Sequence, residues 1–168
     1  MRTVKAMPAM RDDQRLKKDE DAIMLKWESD HGGYVTLKDY FQSKPHTDEH
    51  TANATELLAR VNALLAEFVD YGGILQIDPD TLTHISGSKG GAGDGGFRLS
   101  DSTTGKPGSA HKSAMAVDIY DIGDLIDAWC TRDHLVKYGL WREAKQWSPG
   151  WFHCQTREPK SGNRSFNP

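Results

Sequence analysis

The chain has 168 residues, enough for one domain with its own core, and 21 Lys and Arg against 24 Asp and Glu give a formal net charge of −3. That balance supplies no electrostatic reason to bind nucleic acid or an anionic membrane. With two cysteines the chain is not a disulfide scaffold, and it has no apolar run of about 18 residues that could span a membrane.

The first residues are basic but run into the charged stretch Arg11 to Glu20 without an apolar core, so no signal peptide is expected. Residues 1–30 read as an N-terminal arm that packs through Ile23, Met24, Leu25 and Trp27, and residues 31–168 as a single domain. Tyr40 and Phe41 offer aromatic groups for docking on the body, and Pro45 ends that segment. Leu57, Leu58, Val61, Leu64, Leu65 and Phe68 recur at intervals of three and four, which predicts an amphipathic helix over 53–71, capped by Thr51 or Asn53 and stopped by Gly72-Gly73. Short strands are expected at 74–77 and 81–86, with His84 a structural histidine.

Residues 87–96 are rich in glycine but lack the order of a phosphate loop, and read as the flexible lip of a cleft. Phe97-Arg98-Leu99 leaves it in an extended form that projects Arg98. A strand at 115–119, a helix over 122–138, a return through Leu140 to Glu143, and a last strand at 151–156 follow. The tail from Arg157 to Pro168 is expected to lie extended over the surface, and Cys130 and Cys154 to be buried free thiols. Together these elements predict an α+β fold: a small antiparallel sheet with helices packed on one face.

Two segments carry chemistry. In Ser109-Ala-His111 to Val117-Asp118, alternation along the strand turns Val117 and Ile119 to the core and Asp118 the other way. His153, in Gly150-Trp-Phe-His153, arrives from another strand. Two imidazoles and a carboxylate form a donor set suited to zinc that leaves a coordination position open. A His and an Asp seven residues apart are also common as a plain surface pair. On a strand, Cys154 would point away from His153.

The pattern Ser-x-His-x-x-x-x-Ala-x-Asp, followed by an aromatic-x-His segment near the chain end, resembles the zinc D-Ala-D-Ala carboxypeptidases and dipeptidases, which share a fold with the hedgehog signalling domain. The resemblance extends from about Ile85 to Arg157; the segments 34–41 and 53–62 are similar to phage-encoded members. It implies that His111, Asp118 and His153 bind Zn2+. It further implies that Arg98, in Gly96-Phe97-Arg98, holds a substrate carboxylate and that Ser109 contributes to substrate binding. Two departures stand out. Ala114 replaces a usual glycine, and the positions of the family's catalytic base, three or two residues before the second His, are Gly150 and Trp151.

The resemblance therefore implies a zinc metallopeptidase acting on peptidoglycan stem peptides, of carboxypeptidase or endopeptidase type. As a phage or prophage endolysin it would stay in the host cytoplasm until released to the cell wall, or travel with the virion. Glu143, ten residues before His153, is the candidate general base, with Asp101 and Asp121 as weaker options. A zinc-bearing binding or virion structural module without turnover is the alternative, and a small α+β domain with incidental His and Asp a third.

Overall fold

A computed structural model of the protein describes residues 33–87 and 94–168. The expected arm over residues 1–30 and the middle of the glycine-rich stretch lie outside the described residues. The fold is α+β: helices α1 (Leu37–Phe41), α2 (Asp48–Asp70), α3 (Leu125–Trp129) and α4 (Arg132–Lys137), with strands β1 (Ala116–Tyr120), β2 (Trp141–Glu143), β3 (Trp151–Gln155) and β4 (Ser165–Phe166).

Helix α1 is opened by a reciprocal cap: Thr36 Oγ1 accepts from Asp39 N, and the Asp39 carboxylate accepts from Thr36 N. The helix buries Tyr40 and Phe41, and the Tyr40 hydroxyl donates to the Ala116 carbonyl at 2.9 Å, tying α1 to β1. Helix α2 is the expected amphipathic helix, with all six stripe residues buried. Each such burial is worth about 1.5–3 kcal/mol, so packing of that stripe holds the helix in place. It starts five residues before the expected 53, because Thr47 caps it and the His50 ring accepts from Thr47 N in return. Asn53 is therefore no cap; inside the helix it donates to the Ser113 carbonyl at 3.0 Å.

The expected strands at 74–77 and 81–86 do not form. Asp78 accepts from Asp80 N and Gly87 N and closes this segment into a loop, whose pairing is limited to bridges Asp78 to Thr83 and Ile85 to Ile119. Ile74, Ile77 and Leu82 are exposed, while Ile85, beside Ile119, is buried in the core. His84 has a structural role, its Nδ1 2.7 Å from the Gln76 carbonyl and its ring edge-on to Tyr34.

The expected single helix 122–138 is two. Cys130 turns extended and Thr131 caps α4. Asp121 accepts from Ile126 N and Asp127 N at the start of α3, and Arg142 Nη1 donates to the Asp127 and Cys130 carbonyls at its end. Side chains thus satisfy backbone groups at both ends of α3, which lowers the cost of the break.

The sheet runs β1-β3-β2-β4. β1 and β2 each pair antiparallel with β3, but β4 lies parallel to β2, so the sheet is mixed and not purely antiparallel. The tail does more than extend over the surface: its Ser165 and Phe166 form the edge strand, and Phe166 is buried. In the β1–β3 register Val117 faces Cys154 and Ile119 faces Phe152, and these four join the core with α2, Ile126 and Leu135. The intervening pair, Asp118 and His153, must occupy the opposite face. Among the described residues no helix is long and apolar enough to cross a membrane.

Candidate metal centre

His111 sits on a 3-10 turn, Ala110 to Ser113, that delivers the chain into β1. Ala114 closes the turn in the left-handed conformation at φ 56°, a geometry that glycine adopts more readily than a residue with a Cβ. Asp118 lies at the centre of β1 and His153 directly across from it on β3. The two glycines that end the glycine-rich stretch are packed against backbone: a Cβ on Gly95 would meet the Ser86 carbonyl at 2.1 Å, and one on Gly96 the Tyr40 carbonyl at 2.5 Å. Close approach, not a flexible lip, is what these two residues provide. It brings the Gly96 carbonyl within 2.8 Å of His111 Nδ1. A carbonyl can only accept, so Nδ1 carries the proton and Nε2 is left as a donor atom, 3.4 Å from Asp118 Oδ1.

His153 Nδ1 lies 2.7 Å from the same Oδ1, and Arg98 Nη2 donates to Oδ2 at 3.1 Å. All three of His111, Asp118 and His153 are buried. Burial by itself would raise the Asp118 pKa, but the two imidazoles outweigh it and hold the carboxyl far below the usual carboxylate range. Burial pulls His111 down despite Asp118. It acts on His153 too, yet the Asp118 hydrogen bond and charge prevail there and push that imidazole up. His111, Asp118 and His153 each offer one ligand atom, all within 4.8 Å of one another, and could hold a metal ion. The donor chemistry fits: one carboxylate oxygen and two imidazole nitrogens converge, and both imidazoles have their second nitrogen engaged by an oxygen of the protein.

The group forms part of the wall of a cleft of about 1050 Å³, which Arg98, Ser109 and Glu143 also line. The expected site residues therefore come together, with three qualifications. Arg98 spends Nη2 on Asp118 and Nε on the Asp94 carbonyl, so its guanidinium presents Nη1 rather than a free fork. Asp121 is consumed in capping α3, and Asp101 is exposed and does not line the cleft. Gly150 is a turn residue and Trp151 a cleft wall, so the positions three and two residues before His153 bring no ionisable group.

Glu143 comes from the neighbouring strand. The pairs Trp141 to Gln155 and Arg142 to Cys154 carry the β2–β3 register on to place Glu143 beside His153. Burial holds its carboxyl above the usual range, although the charge of His153 opposes this. Burial likewise pushes the Cys130 thiol up to about 12 and Cys154 well above its ordinary value, so neither thiol is a ready nucleophile or ligand. Sequence reasoning missed Lys106, Gln155, the segment 157–161 and residues 166–168, which also line the wall. Gln155 was within reach, since it follows His153 by one strand period; the pairing that brings Phe166 in has no local signal.

Compared with protein-family models, with curated proteins and with solved structures, the chain matches none.

Proposed function

We propose that the protein is a zinc-dependent D,D-peptidase that hydrolyses the stem peptides of bacterial peptidoglycan. The observation that carries this reading is the convergence of His111, Asp118 and His153 at an open cleft in which Glu143 has a raised pKa. Ligands about 2.0–2.1 Å from a tetrahedral zinc lie roughly 3.3 Å from one another; the 3.4 Å between His111 Nε2 and Asp118 Oδ1 is of that size, while His153 Nδ1, hydrogen-bonded to the same oxygen at 2.7 Å, would have to draw back to admit the ion. Bound there, zinc supplies Lewis-acid activation of water and of an amide carbonyl.

The protein's own groups supply the rest. Glu143 takes the proton of the attacking water and returns it to the leaving amine, a role that a carboxyl with a raised pKa suits near neutrality. Arg98 orients Asp118 through Nη2 and uses Nη1 to attract the substrate's free carboxylate. Gly105 keeps that approach open, because a Cβ there would come within 3.0 Å of Nη1. Ser109 offers a hydroxyl at the same wall. A phage or prophage lytic role, with release to the wall or carriage in the virion, belongs to the same proposal.

One observation favours a second reading, a zinc-bearing module that binds without turnover: the positions of Gly150 and Trp151 hold no base, and Trp151 presents an indole on which a ligand can stack. Incubation with purified peptidoglycan, with and without a chelator, separates the two. Chelator-sensitive release of alanine or of a peptide fragment supports the peptidase. Binding of peptidoglycan with no release supports the module.

A further inference from the structure

We infer that Gln155 is a positioning residue that selects Nδ1 of His153 as its metal-ligating atom, an inference that rests on the metal-centre reading above. Gln155 is buried on β3 two residues beyond His153, on the same face of the strand. Its Nε2 donates to the backbone carbonyl of Arg157, and its Oε1 lies 3.3 Å from His153 Nε2.

The direction of this chain of hydrogen bonds follows from chemistry alone. The Arg157 carbonyl can only accept, so the Gln155 amide must turn its NH2 group toward it. That leaves Oε1, an acceptor, facing His153, and His153 Nε2 must then be the donor. With Nε2 held as a donor to Gln155, Nδ1 is the nitrogen that faces the cluster; it donates to Asp118 Oδ1 at 2.7 Å, and that is the proton it would give up to a metal bound there. His111 is set in the opposite sense by the Gly96 carbonyl, which takes the Nδ1 proton and frees Nε2. The two imidazoles thus meet the metal through different nitrogens. The relay also reaches beyond the strand: Arg157 Nη2 donates to the Gly108 carbonyl at 2.6 Å, in the loop that delivers Ser109 and His111. The backbone that orients Gln155 is therefore anchored to the segment that carries the other imidazole.

The test compares zinc affinity of the full chain and of Gln155→Leu by chelator competition, together with nitrogen-15 NMR of the histidine rings in the zinc-loaded wild type. Loss of the acceptor should weaken zinc binding about 10- to 100-fold, the size expected for an outer partner of a ligating His, with far-UV circular dichroism unchanged. The spectra should show His153 protonated at Nε2 and metallated at Nδ1. Equal affinity in folded Gln155→Leu, or a zinc-loaded wild type with His153 metallated at Nε2, overturns the inference. Should Gln155→Leu fail to fold, the wild-type spectra decide alone. A wild type that binds no zinc overturns the metal-centre reading itself, and is distinguished by failing before the variant is compared.

Discussion

Glu143 on β2 stands beside His153 on β3, one register step past the Arg142 to Cys154 pair. The carboxylate thus reaches the cleft from a neighbouring strand and not from the residues just before the histidine, where Gly150 and Trp151 stand. Replacing Glu143 by Gln keeps the shape and removes the proton acceptor. Zinc content should stay at the wild-type level while hydrolysis of peptidoglycan falls about 10²- to 10⁴-fold. Unchanged activity would reject Glu143 as the base.

Phe166 pairs with Glu143 across β2 and β4 and sets its ring edge-on to His153, with centroids 6.2 Å apart. Phe166→Ala should lower stability by about 3–5 kcal/mol, the range for losing a buried aromatic side chain, as a shift in the urea midpoint. Because the ring lies against His153, zinc affinity should fall as well. Full retention of both quantities would show that the C-terminal strand is dispensable to the site.

Asn62 spans α2 and the chain entering α1, its side chain accepting from Val35 N and donating to the Val35 carbonyl, both at 2.9 Å. Asn62→Ala leaves a buried donor and acceptor without partners, which should cost about 1–3 kcal/mol. Equilibrium unfolding measures it, and a change within error would mean that water replaces the amide.

Glu67 near the end of α2 accepts from the Tyr138 hydroxyl at 2.5 Å and from Lys137 Nζ at 2.9 Å. Burial would raise its pKa, but these two hydrogen bonds outweigh it, and the carboxyl is lowered. A folded pKa below the unfolded value means that the stabilisation is full above the unfolded pKa of about 4.3 and is lost as pH falls through the folded one. Glu67→Gln should therefore be less stable than wild type at pH 7 by about 1 kcal/mol or less, given the partial exposure of the pair. The two stability curves should converge in acid, below about pH 4. A gap that stays constant down to pH 3 contradicts the assignment.

Much of this was legible in the chain. The apolar stripe from Leu57 to Phe68 announced α2, and alternation around Asp118 and His153 placed both on one face of a strand pair. The start of α2 was hidden because its first turn carries no stripe residue and its cap partner is a histidine. The break at Cys130 was hidden because apolar periodicity continues across it, while the deciding contacts come from Asp121 and Arg142. Ile74, Ile77 and Leu82 have strand character without a partner strand, and propensity alone does not make a sheet. The parallel β4, and with it Phe166 at the site, depends on tertiary register that no local pattern encodes.

The central claim is that His111, Asp118 and His153 grip one divalent ion, and a calorimetric zinc titration of the metal-free protein beside Asp118→Ala tests it most directly. The account predicts one tight site per chain in the wild type and none in the variant. A wild type that takes up no zinc, or a variant that binds it equally well, would contradict it.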